Sequence, residues 1–85
     1  MMRWEEFAPP EARGTETRAV MTGQKEVLIE GHRGLFSYET DRIRVRSKAG
    51  IWTVSGKGLI IDYFGAQDLL IRGRVDSIAI DGEKT

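Results

Sequence analysis

The chain has no cysteine and only one histidine, His32, among its 85 residues. Without cysteine there is no disulfide, no zinc-thiolate site and no thiol nucleophile. One imidazole cannot provide a multi-histidine metal site, and the aspartates lack the spacing of a calcium loop. We therefore expect no metal, no cofactor and no catalytic residues.

The chain also lacks an excess of either charge and any long apolar stretch. Its 13 basic residues balance 13 acidic ones, and the pI is near 6.6. This balance argues against a nucleic-acid binder, which normally carries a basic excess. No uncharged run approaches the ~20 residues that a membrane-spanning helix needs. Acidic residues stand where a signal peptide would have its apolar region. The length suits a single domain.

Proline is confined to the first part of the chain, at Pro9 and Pro10. Residues 1–18 show no apolar periodicity, so we predict a flexible N-terminal leader there and one domain over residues 19–85. Trp4 and Phe7 are the leader's candidates for an ordered contact.

Alternating apolar and polar residues in short, glycine-punctuated segments dominate the domain and predict an all-β fold. The clearest case is Arg42–Arg46, which places Ile43 and Val45 on one face and arginines on the other. We predict six to seven short antiparallel strands in a meander or barrel-like sheet, with a short irregular β-helix as the alternative. The predicted strands cover residues 26–30, 35–38, 42–46, 51–55, 59–64, 69–72 and 75–80.

Several glycines mark the expected turns and irregularities between these strands. Gly56-Lys57-Gly58 predicts a tight reversal or a bulge, while Gly73 is expected to close the last strand pair. Val75 and Ile78 fall on opposite parities, which predicts a bulge near Asp76 or Ser77. The predicted core comprises Val27, Ile29, Leu35, Ile43, Val45, Trp52, Val54, Leu59, Ile61, Leu69, Ile71, Ile78 and Ile80.

His32 lies in the glycine-flanked segment Gly31–Gly34, and no serine has the Gly-x-Ser-x-Gly surroundings of a nucleophile. We expect a histidine whose ring hydrogen-bonds to the backbone, with an exposed contact residue beside Arg33 as the alternative. Gly56–Gly58 lacks the spacing and the following helix of a phosphate loop.

Arg42, Arg44 and Arg46 form the most distinctive expected surface, which we call the arginine face. Its guanidinium groups could bind carboxylates, phosphates or lipid head groups. The alternative is a solvated face neutralised by acids such as Glu30 or Glu39. The candidate interaction residues are His32, Arg33, Arg42, Arg44, Arg46, Trp52 and Lys57.

Four segments in order resemble the YabP/YqfC family of sporulation proteins, most of all its YqfC branch. They are Ile29–Tyr38 with its His-Arg-Gly turn, Ile43–Arg46, Gly50–Leu59 with its Gly-Lys-Gly-Leu sequence, and Leu70–Ile78. The family more often has Asn before the histidine, where this chain has Gly31.

This resemblance implies a non-enzymatic protein of the mother cell that acts in spore envelope formation, at the coat or cortex. We expect an interaction module that forms a homo-oligomer and contacts a membrane-bound sporulation protein. Its expected location is the mother-cell cytoplasm, or the periphery of the forespore membrane or spore coat. The alternative function is binding of a small anionic ligand or a lipid surface through the arginine face.

Overall fold

A computed structural model of the protein describes residues 16–48 and 50–82, and it shows six antiparallel strands in one open sheet. No helix occurs in these residues, so none there could cross a membrane. The strands are β1 (Arg18–Thr22), β2 (Glu26–Glu30), β3 (Leu35–Glu39), β4 (Arg42–Ser47), β5 (Gly50–Phe64) and β6 (Asp68–Gly82), in the sheet order β1-β2-β6-β5-β4-β3. The predicted all-β class is confirmed.

The long hairpin of β5 and β6 organises the sheet. Both strands continue for 15 residues, so the chain does not reverse at Gly56–Gly58 and Gly73 does not close a strand pair. The bulge, the other alternative for Gly56–Gly58, is confirmed by a register shift on each side of Gly56-Lys57. In all, the register shifts at three points between the two strands. One shift leaves Asp76 unpaired between Val75 and Ser77, which confirms the predicted bulge.

The short connection between β2 and β3 requires this hairpin to bend. Glu30, the last residue of β2, pairs with Asp68 at the start of β6. Leu35, the first residue of β3, lies in one row across the sheet with Val45 of β4, Trp52 of β5 and Ile80, near the other end of β6. In a flat sheet these positions on β6 would be about 40 Å apart along the strand. The connection through residues 31–34 spans at most about 18 Å. The two halves of the sheet must therefore fold towards each other.

Backbone amides at the bend of β5 and β6 form hydrogen bonds to the turns on either side of it. Four amides donate to carbonyls of the β1–β2 and β3–β4 turns: Gly56 to Asp41 (3.0 Å), Leu59 to Thr40 (2.8 Å), Gly73 to Lys25 (3.0 Å) and Val75 to Gln24 (2.8 Å). Since unpaired buried amides are costly, these bonds hold the bend in place.

The core lies between the two halves of the bent sheet. Its fully buried residues are Val27, Ile29, Ile43, Val45, Val54, Leu59, Leu69, Ile71 and Val75. Eight of these nine were predicted, and Leu35, Trp52, Ile61 and Ile78 pack partly buried against them. Val75 was missed. The prediction for Ile80 is wrong, because its side chain is 57% exposed where β6 has a strand on only one side.

The beginning of the domain also differs from the prediction. Arg18, assigned to the leader from the sequence, is the first residue of β1, a strand that the sequence analysis did not identify. Thr17 just before it donates its hydroxyl to the Gly31 carbonyl at 2.7 Å. The remaining leader prediction, including Trp4 and Phe7, lies outside the described residues.

Candidate functional site

The β2–β3 connection, residues 31–34, brings His32 between two parts of the bent sheet. The amides of Gly31 and His32 both donate to the Gln67 carbonyl in the β5–β6 turn, at 2.7 and 3.1 Å. On the other side, the Arg33 amide donates to the Arg46 carbonyl at 2.8 Å. Gly31 has φ +78°, and a Cβ there would meet the Glu16 carbonyl. Glycine is thus required where this connection begins.

Both ring nitrogens of His32 are bonded to the backbone. The Gly34 amide donates to Nδ1 at 2.9 Å, so Nδ1 is the unprotonated nitrogen. Nε2 therefore carries the hydrogen and donates to the Gly65 carbonyl at 2.9 Å. The side chain is 5% exposed. This is the backbone-bonded histidine that we expected from the sequence, and neither nitrogen is free to accept a substrate proton in this arrangement.

A surface pocket opens beside this histidine. It lies between residues 31–34 and residues 64–67 of the β5–β6 turn. Phe64 stacks on the His32 ring with centroids 5.3 Å apart and planes 26° apart, although Phe64 remains 54% exposed. Arg33 is exposed at this pocket. The pocket combines one exposed aromatic ring with one cation.

The arginine face forms as the alternation predicted, because Ile43 and Val45 are fully buried. Its three arginines nevertheless have different surroundings. Arg42 pairs with Glu39 at 3.8 Å. Arg44 and Arg46 instead extend over the ring of Phe36, with their guanidinium carbons 5.9 and 4.9 Å from its centroid.

Ion pairing divides the arginines of the described residues into two groups. Arg18, Arg42, Arg72 and Arg74 each lie within 4 Å of a carboxylate. Arg33, Arg44 and Arg46 have no such partner in this part of the chain. We call these three the arginine cluster: Arg44 and Arg46 share the ring of Phe36, and the backbone of Arg33 is bonded to that of Arg46. Of the acids proposed to neutralise the face, Glu39 pairs only with Arg42, and Glu30 pairs with Arg18.

Trp52 and Lys57 lie apart from the arginine cluster. Trp52 is half-buried against the core, and its Nε1 is buried with no hydrogen-bond partner among the described residues. Lys57 is exposed in the bulged part of β5, opposite Arg74. The site residues predicted from the sequence therefore occupy more than one surface, and their role in binding stays a prediction.

Sequence reasoning missed the surface formed by the sheet's edge segments, the strand portions that have only one neighbouring strand and lie outside the bend at residues 56–59 and 73–75. The edge segments are β1, β3, residues 60–64 of β5 and residues 76–82 of β6. Within the described residues they carry every large hydrophobic side chain that is exposed: Val20, Met21, Phe36, Tyr38, Ile60, Tyr63, Phe64 and Ile80. Alternation places a residue on a face but does not indicate where a neighbouring strand stops.

Sequence comparison finds one matching family and a relative in Bacillus subtilis. The sequence model of the YabP family matches residues 13–85. The chain is 30% identical over 70 residues to the protein named "Uncharacterized protein YqfC" of Bacillus subtilis (strain 168). That alignment covers 82% of this chain and 75% of the relative. No solved structure gives a significant match. The resemblance carried by the four sequence segments is confirmed.

Proposed function

This chain belongs to the YabP family, and on that premise we propose that it is a non-enzymatic assembly module acting in spore envelope formation. In this proposal it works in the mother cell, at the coat or cortex, by contact with other proteins. The sporulation role is taken from the resemblance of its sequence to this family. The mode of action is argued from its surface.

The observation that carries the proposal is the position of the exposed apolar side chains on the edge segments. An edge strand presents unpaired backbone groups, and proteins commonly protect such edges with charges, proline or a covering element. Here Val20 and Phe36, at opposite ends of the sheet order, are 40% and 45% exposed. Apolar side chains beside unpaired backbone favour addition of another strand. This supports assembly through the edges.

A structural role for His32 supports a non-catalytic function. Its two ring nitrogens join Gly34 and Gly65, which fixes the β2–β3 connection against the β5–β6 turn. General-base catalysis needs a nitrogen within reach of a substrate proton. We therefore propose that the histidine maintains the fold beside the pocket.

The proposed partners are further copies of this chain and a membrane-bound sporulation protein. The proposed location is the mother-cell cytoplasm, with attachment at the periphery of the forespore membrane or the spore coat. Two distinct free edges, β1 and β3, would let copies add head to tail without closing a ring, which suits an extended envelope layer.

A second candidate function is binding of a small anion or a lipid surface through the arginine face. Arg44 and Arg46 favour it, since neither has a carboxylate partner among the described residues and their guanidinium donors are available there for an anion. Arg42 is a weaker candidate because Glu39 already neutralises it.

Light scattering over a wide range of protein concentration, combined with capture from sporulating cells, tests the assembly proposal. We expect the mass to rise with concentration and a membrane-bound sporulation protein to be recovered with the chain. Ile80→Lys should weaken self-association, whereas Lys25→Glu, a charge change at an exposed side chain in the β1–β2 turn, is the matched control. A strictly monomeric chain that captures no membrane protein would contradict the proposal.

A further inference from the structure

The arginine cluster lies beside β3, the strand at one end of the sheet. We propose that Arg44 and Arg46, whose guanidinium groups lie over Phe36, bind a carboxylate on an extended segment of a partner protein, with Arg33 next to Arg46 in the backbone. This segment pairs with the free edge of β3. This inference rests on the proposed function as an interaction module, and it specifies the chemistry of one partner.

These arginines differ from the others in what surrounds them. Arg18 lies 2.9 Å from Glu30, and Arg72 lies within 3.4 Å of both Glu26 and Asp62. Carboxylates thus accompany arginines elsewhere on this small domain. In the arginine cluster, by contrast, none of the three arginines has a carboxylate within 4 Å among the described residues, and the guanidinium groups of Arg44 and Arg46 share one ring. A bound anion would reduce the repulsion between Arg44 and Arg46.

The guanidinium group of Arg44 is only partly satisfied. Its Nε is buried and has no hydrogen-bond partner in the described part of the chain. A buried donor without an acceptor is destabilising, and more so when the group is charged. The terminal nitrogens of the same guanidinium are not buried, and a carboxylate bound to them would stabilise its charge.

The direction of both side chains indicates where the carboxylate binds. Arg44 and Arg46 start on β4, but their guanidinium groups lie over Phe36 on β3 and so extend towards the free edge. Phe36 is 45% exposed, and the register of β3 against β4 shifts between Leu35 and Ser37. The charges therefore lie over the strand that a partner would extend.

An extended peptide suits this surface better than a lipid head group or a free phosphate. It can pair with unpaired backbone groups of β3 and place an acidic side chain towards the guanidinium groups. A head group offers the anion alone. The apolar faces of Phe36 and Tyr38, 45% and 47% exposed, would also gain contacts from a peptide.

The test is an NMR titration of the full chain with a synthetic peptide of alternating glutamate and valine. A peptide of the same length with glutamine in place of glutamate is the ligand control. We expect the glutamate peptide to shift amide signals of β3 and residues 31–34. Arg44→Gln combined with Arg46→Gln should weaken binding about tenfold, or ~1.4 kcal/mol. Arg74→Gln, which removes a cation paired with Asp76, should leave binding unchanged.

Parallel titrations with inorganic phosphate and with vesicles of phosphatidylglycerol separate the sources of the anion. Stronger binding to either than to the glutamate peptide would overturn the proposal. So would equal binding of the glutamate and glutamine peptides, shifts that avoid β3, or no binding at all. Well-dispersed spectra of both arginine variants would show that they remain folded. Self-association measured separately distinguishes failure here from failure of the proposed function.

Discussion

Replacing His32 by alanine should destabilise the domain strongly, because this side chain joins two distant parts of the backbone. The change removes the bond from the Gly34 amide to Nδ1, the bond from Nε2 to the Gly65 carbonyl, and the stacking on Phe64. We take a loss of about 1 kcal/mol for each hydrogen bond. This is the lower end of the range for a buried group left without its partner, because water in the adjoining pocket can replace the lost bond. Stacking adds roughly 0.5–1.5 kcal/mol. The expected loss is about 3 kcal/mol.

Urea unfolding of the wild type and His32→Ala measures this loss directly. A domain of this length has a total stability of roughly 4–13 kcal/mol, so the effect should be a large fraction of it. Each kcal/mol corresponds to about 4–8 °C in Tm. Arg33→Ala is the matched control, since that neighbouring side chain is exposed and has no ion-pair partner among residues 16–48 and 50–82, and its change should stay within about 0.5 kcal/mol. A His32→Ala loss no larger than this control would refute the structural role.

Three further predictions concern the bend and the core. Gly56→Ala should destabilise the fold by more than Gly58→Ala. A Cβ at residue 56 would collide with the Arg74 carbonyl. Residue 58 has open space around it, so alanine there should lose only about 1–2 kcal/mol, the cost of a left-handed φ of +61°. Chemical unfolding of both variants checks the order, which would be reversed if the close approach at the bend were wrong. Ile71→Ala should cost about 2–5 kcal/mol, as expected for a fully buried side chain. Ile80→Ala should cost under about 1.5 kcal/mol in dilute, monomeric protein because the side chain is 57% exposed; equal losses in calorimetry would place Ile80 back in the core.

The sequence was sufficient to predict the strand class, most of the core and the orientation of β4. Strict alternation from Arg42 to Arg46 places Ile43 and Val45 on the buried face, because side chains alternate between the two faces of a strand. This holds for any pairing of the strand with its neighbours. The opposite parities of Val75 and Ile78 indicated the bulge at Asp76 for the same reason. These are local properties, which the order of residues determines directly.

The long hairpin and the exposed edges depend on pairing between distant residues, which local patterns do not encode. In the sequence Gly56 indicates a reversal or a bulge and Gly73 the end of a strand pair, whereas in the fold both glycines allow two backbones to approach closely at a bend. β1 contains the apolar run from Ala19 to Met21 without clear alternation in burial. Ile80 has the parity of a core residue but lies near the end of β6, far beyond Arg72 where the pairing with β2 ends, and there it is exposed.

The same limit applies to the candidate site. Arg42, Arg44 and Arg46 are equivalent in the sequence, yet only the fold reveals that Glu39 pairs with the first and that Phe36 lies beneath the other two. His32 was expected to bond to the backbone, but its partner Gly65 is 33 residues away. Which cations lack a partner is therefore a property of the folded chain.

Amide hydrogen exchange measured from dilute to concentrated protein tests the central claim, assembly through the edge segments, most directly. Amides that enter a new strand pairing exchange more slowly. We predict that protection rises with concentration in β1, β3 or residues 76–82, while the paired interior of β2 and β4 stays unchanged. Exchange rates that are independent of concentration throughout the chain would contradict assembly of the protein with itself through its edges.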